Sequence, residues 1–210
     1  MLSVPGVLRD TATLYRALFG RTVVMAALVF AVVCLVETVG PWPVVLLSFV
    51  GTAVVQGALV EAVDQEREHR SGSLVHAAWS RAGALLGVSL LTGIGVGVGL
   101  FLLVVPGLIL FTRWSLAVPA VMIEGRSPRE AMRRSRELVR GHGRQVFAIF
   151  VLVSAAAFGA SLLLEQLLAG PLGLWAALTI ASTLTTPFAA HALNVVYYRI
   201  VDPGRPVLQA

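Results

Sequence analysis

Long apolar runs alternate with short arginine-bearing segments along this chain, an alternation that predicts helices crossing a membrane. Six runs stand out, at 22–38, 42–60, 84–105, 107–123, 146–168 and 172–198. Each approaches the roughly 20 residues that a helix needs to cross the hydrocarbon core of a bilayer. The fourth is short and holds Arg113 and Pro119, which fits either a tilted span or half of a re-entrant hairpin. The expected fold is all-α, an integral membrane bundle of six transmembrane helices with amphipathic interfacial helices on the cytoplasmic face. Residues 1–210 read as a single membrane domain.

The polar connections orient this bundle. Those after the first, third and fifth runs carry no arginine, whereas fifteen of the sixteen arginines fall in the remaining polar segments. Arginine-bearing loops stay on the cytoplasmic side. The arm with Arg9, Arg16 and Arg21, the loop with Arg67, Arg70 and Arg81, the stretch from Arg126 to Arg144, and the tail with Arg199 and Arg205 then share that side, as do both termini. Tyr197 and Tyr198 at one interface and Trp42 at the other fit aromatic anchoring. A weak internal repeat accompanies this order, each odd-numbered run following an amphipathic segment that ends in arginine and glycine. Three helix-plus-hairpin units at 1–60, 61–124 and 125–200 explain it, and so does the general similarity of amphipathic helices.

The best-defined local element follows the fourth run. Ser127 and Glu130 form a capping-box pattern with Pro128 at the first helical position, and Gly141 supplies a stop. At about 100° per residue, Ala131, Met132, Ser135, Leu138 and Val139 share one arc, and Arg129, Arg133, Arg136 and Arg140 the opposite one. A helix of this kind lies on the membrane surface. Its arginine face suits anionic lipid headgroups or an acidic partner protein, or is simply a solvated positive-inside face.

Composition adds limits. The chain is 57% hydrophobic and 13% charged, with a mean hydropathy of +0.85, which excludes an ordinary water-soluble domain. The net charge of +5 belongs to the cytoplasmic loops, with no isolated basic domain for nucleic acid. All sixteen basic residues are arginine, and Asn194 is the one asparagine, a bias expected of a GC-rich bacterial genome. Without lysine there is no Walker-type phosphate loop, Schiff base or pyridoxal anchor. The single cysteine, Cys34, reads as a buried hydrophobe and excludes an internal disulfide or a cysteine metal cluster. The N-terminus lacks the cleavage pattern of a signal peptide, so the first run is expected to remain.

Candidate chemistry centres on Arg113, about 9 Å into the fourth run at the helical rise. A cation at that depth should face the bundle interior or water. It fits an ion pair with Glu37 or Glu165, an anion or headgroup site, or a side chain reaching to the outer surface. In the sixth run, Ser182, Thr183, Thr185 and Thr186 lead up to Pro187, and His191 and Asn194 extend the same polar stripe. A packed kink explains these residues, and so does the lining of a polar cavity. The glycines of the third run read as close helix packing. His69 and His76 lack metal-ligand spacing, and neither a nucleophile elbow nor a dinucleotide fingerprint is present. No cofactor or metal is expected.

The stretch VVPGLILFTRWSLAVPAVMIEGRSPREAMRRSRELVRGHGRQVF, through Pro106, Gly107, Arg113, Pro119, Ala131, Ser135, Leu138 and Gly141, carries a resemblance. It resembles the membrane domain found beside some glycerophosphodiester phosphodiesterases, and related stand-alone bacterial multi-pass proteins of uncharacterised function. The resemblance spans about 45 of the 210 residues and implies the multi-helix membrane fold. It implies no phosphodiester hydrolysis, because the soluble phosphodiesterase barrel is missing. The expected function is therefore a non-enzymatic module of a bacterial cytoplasmic membrane that engages membrane lipids, a membrane protein partner or a second copy of itself. A small transporter or channel with a polar site around Arg113 is the alternative, ahead of an intramembrane enzyme.

Overall fold

The computed structural model describes residues 3–37, 41–167 and 173–204, and the side chains of all but 30–48, 104, 165, 167 and 173–179 among them. The side chains of Cys34, Glu37, Trp42 and Glu165, and Arg205 altogether, lie outside the described residues. Every regular element among the described residues is a helix: α1 (Val4–Glu37), α2 (Pro41–Glu68), α3 (Leu74–Ser80), α4 (Ala82–Leu102), α5 (Val104–Trp114), α6 (Ala117–Glu124), α7 (Pro128–Val139), α8 (Gly143–Leu167) and α9 (Gly173–Val201). Four segments among them are long and apolar enough to cross a membrane: Val4–Val29, Ala82–Leu102, Val105–Glu124 and Gly143–Leu164. Within α4 and α8 only 17% of the most apolar window is buried, so most of that surface points outward, as a lipid environment requires.

Of the three expected arginine–glycine joints one is absent and two are present, and the fourth apolar run is not a single helix. First, α1 runs without a break from the basic arm into the apolar run. Gly20 stays helical, while the positive φ that ends a helix is taken by Gly125 (66°) and Gly141 (87°). The buried Thr11 and Thr22 donate their hydroxyls to the carbonyls of Val7 and Leu18, which keeps these polar groups satisfied in place. Second, breaks do occur ahead of α4, at Arg81, and ahead of α8, after Arg140. Third, the fourth apolar run is split into α5 and α6 by a turn at Ser115–Leu116. Pro119 has no N–H to offer the carbonyl of Ser115, so a continuous helix loses a bond at this turn.

α4 and α5 form a tight hairpin. A Cβ on Gly99 would lie 2.8 Å from the Cα of Gly107, so only glycine permits this approach. The glycine-packing expectation holds for Gly87, Gly95 and Gly99, which meet Pro128, Trp114 and Gly107, whereas Gly83, Gly93 and Gly97 face open space. α1 packs on α9 and α2, and α8 on α9. The main core joins α2, α6, α7 and α9 at one end of the bundle through residues such as Val63, Val121, Ala131, Leu138 and Val196.

Polar side chains close that end. Arg81 donates to the carbonyls of Val121 (2.6 Å) and Met122 (2.5 Å), placing a cation on the last turn of α6. Glu124 accepts from Arg134 (2.9 Å), Tyr197 (2.7 Å) and Arg126. Asp64 accepts from Tyr198 at 2.6 Å, and the Arg67 guanidinium lies 4.1 Å over the Tyr198 ring. Arg199 is bound to Asp10, which ties α9 to the start of α1.

Candidate functional site

The start of α7 follows from its local sequence. Ser127 is extended, with its N–H and hydroxyl directed to the Glu130 carboxylate at 3.2 and 2.7 Å. These bonds hold the Glu130 carboxyl below the usual carboxylate range. Ala131, Ser135, Leu138 and Val139 are buried and the opposite arc is exposed, as the 3.6-residue period requires.

Ser135 does more than fill the buried face. Its hydroxyl donates to the carbonyl of Arg113 at 2.8 Å and accepts from the N–H of Leu116 at 3.0 Å. The turn at Ser115–Leu116 leaves one acceptor and one donor without helical partners, and one side chain satisfies both. The surface helix is thereby fastened to the break in the fourth apolar run.

On its other side, α7 faces a cavity of about 980 Å³ between α5, α7 and the start of α8. Arg113 from α5, Arg133, Arg136 and Arg140 from the α7 segment, and Arg144 from α8 all line it. Among the described residues Glu137 is the sole carboxylate in the lining, and its ion pair with Arg133 is long, at 3.9 Å. Val105, Leu108, Ile109, Val139 and Phe147 form an apolar wall. Among the described residues, Arg113, Arg136, Arg140 and Arg144 make no ion pair. The described lining therefore carries a surplus of positive charge.

Two sets of candidates from the sequence, Arg113 and the α7 arginines, thus meet in one place. Arg129 shares the exposed arc but does not line the cavity, and Arg134 is spent on Glu124. Arg113 lies at the last turn of α5, next to the break in the split run, and lines the same cavity as Arg144 at the start of α8.

The polar stripe of α9 lies elsewhere. His191 is fully buried with its ring edge-on to Tyr15, the centroids 6.4 Å apart, and neither ring nitrogen has a hydrogen-bond partner. Asn194 donates to the carbonyl of Leu59 at 3.4 Å. Thr183 is buried, Thr186 is half-buried, and beside them Tyr15 donates to the carbonyl of Leu184 at 3.0 Å, one turn before Phe188. None of these four α9 residues lines the arginine cavity.

Sequence reasoning missed Arg144 and Glu137. The spacing 133, 136, 140, 144 continues one helical arc, a usable signal masked by the stop at Gly141. Among the described residues, no group of three or more His, Cys, Asp or Glu side chains is placed to hold a metal ion. Comparison with protein-family models, with curated proteins and with solved structures finds no match.

Proposed function

We propose that this chain is a non-enzymatic multi-pass protein of a bacterial cytoplasmic membrane whose task is to bind anionic lipid headgroups in the arginine cavity. The observation that carries this reading is the convergence of Arg113, Arg133, Arg136, Arg140 and Arg144 on one cavity with an apolar wall. In this reading the chain crosses the membrane six times with both termini inside, the arginine-rich segments lying against the cytoplasmic leaflet. α2 and α9, at 28 and 29 residues, are long enough for the two crossings beyond the four apolar segments already described. The resemblance to phosphodiesterase-associated membrane domains agrees with a lipid-facing role.

Native mass spectrometry of the gently solubilised protein tests it. Wild type should retain an anionic lipid, and Arg113→Gln and the combined Arg133→Gln, Arg136→Gln, Arg140→Gln variant should lose it while keeping wild-type helicity. Equal lipid retention in all three proteins overturns the reading.

One observation favours a second reading, a small anion transporter. The fourth apolar run is broken directly beside Arg113, and discontinuous helices are where transporters place their binding sites. Anion flux through proteoliposomes that disappears in Arg113→Gln supports this reading, and absence of flux with lipid retention supports the first.

A further inference from the structure

We infer that the ligand is a lipid ending in a phosphomonoester, in preference to a phosphodiester lipid; this rests on the anionic-lipid reading above. Charge is the first argument. The described lining holds five guanidinium groups against one carboxylate, and that carboxylate engages Arg133 only at 3.9 Å. A phosphodiester headgroup brings a single negative charge and leaves most of the surplus in mutual repulsion. A phosphomonoester carries about −1.5 to −2 at neutral pH and offers three strong acceptor oxygens.

Direction is the second. The guanidinium groups are carried by α5, the α7 segment and α8; all five arginines are exposed, three of them along one arc of α7, and Arg113 and Arg144 add charge from two further elements. Guanidinium forks offered from three elements suit a terminal phosphate, whose free oxygens are open to bidentate pairing on more than one side. A diester has two free oxygens and a second substituent that takes up space between the forks.

The third is the wall. Val105, Leu108 and Ile109 continue from Arg113 along α5 for about 12 Å, facing Phe147 of α8 across the cavity. A hydrocarbon chain lies along that wall while its phosphate sits among the arginines. The lipid form is therefore expected to bind better than the free ion.

The experiment uses the full-length protein in a mild nonionic detergent, titrated with short-chain phosphatidic acid, short-chain phosphatidylglycerol and inorganic phosphate, and read by native mass spectrometry and ligand-induced thermal stabilisation. Phosphatidic acid should bind about tenfold tighter than phosphatidylglycerol, and inorganic phosphate more weakly than either. In Arg136→Gln/Arg140→Gln that preference should collapse towards unity. Equal wild-type affinities for the two lipids overturn the phosphomonoester inference and leave the anionic-lipid reading standing. Inorganic phosphate binding as tightly as phosphatidic acid overturns the role of the apolar wall, and binding of none of the three overturns both readings. The wild-type comparison needs no variant, so a poorly folded double variant does not shield the inference.

Discussion

The Ser135 hydroxyl donates to the main-chain carbonyl of Arg113 at 2.8 Å, joining the buried face of a surface helix to the residue that introduces charge into the fourth apolar run. The same oxygen accepts from Leu116 at 3.0 Å. The break at Ser115–Leu116, four residues ahead of Pro119, is thus repaired from outside the broken segment, and the repair joins the Arg113 backbone to the buried face of α7.

Ser135→Ala should remove both bonds and leave a buried N–H unpaired, since Ser135 is fully buried. The expected cost is about 1–3 kcal/mol, seen as a lower Tm in detergent. Because the bonds hold Arg113 against α7, anionic-lipid affinity should fall as well. An unchanged Tm in Ser135→Ala would mean that the break is satisfied by other groups.

The hairpin of α4 and α5 gives a paired test. Gly99→Ala pushes a Cβ to 2.8 Å from the Cα of Gly107, and backbone does not yield as a side chain does. A loss of about 1–3 kcal/mol is expected from such overpacking. Gly97→Ala places its Cβ in open space and should be neutral or stabilising, since alanine is the better helix former. Thermal unfolding of the two variants side by side checks this, and equal destabilisation would refute the close approach.

Much of α7 was legible because its signals are local. Ser127, Pro128, Glu130 and Gly141 act within a few residues of themselves, and the period of the arginines fixes which face they share. What Ser135 bonds to was not legible, because its place on the buried arc says only that it meets something. The unbroken path of α1 through Gly20 was likewise hidden, since glycine is a helix stop only where the chain adopts positive φ. Arg113 could be recognised as a costly charge, but its neighbours depend on how α5, α7 and α8 come together. That is a tertiary fact; the carboxylates that the sequence offers as partners, Glu37 and Glu165, have side chains outside the described residues.

Glu137 offers a test of the electrostatics with opposite sign to the arginine variants. Among the described residues it is the one carboxylate in the cavity lining, and its side chain is 58% exposed, so its influence is partly screened by water. Glu137→Gln should raise affinity for an anionic lipid by about two- to fivefold at low salt, and the gain should shrink as salt is added. A loss of affinity in Glu137→Gln would show that the carboxylate orients Arg133 for the ligand and that the surplus charge is not what draws it.

The capping box predicts a pH response. Bonds from the Ser127 hydroxyl and N–H hold the Glu130 carboxyl below its ordinary value of 4.5. A carboxyl depressed in the folded state contributes stability that is fully present above its unfolded pKa and is lost as pH falls through its folded pKa. The start of α7 should therefore be insensitive to Glu130 titration from neutrality down to about pH 5, and should loosen below that. Other carboxylates titrate in the same window, so the readout is the difference between wild type and Glu130→Gln, followed by amide exchange at residues 129–131. Glu130→Gln keeps an acceptor for Ser127 but loses the charge at the helix N-terminus. It should start lower at pH 7 and approach wild type as pH falls through the depressed Glu130 pKa. Parallel curves over the whole range would show that the Ser127–Glu130 contact contributes nothing to holding α7 in place.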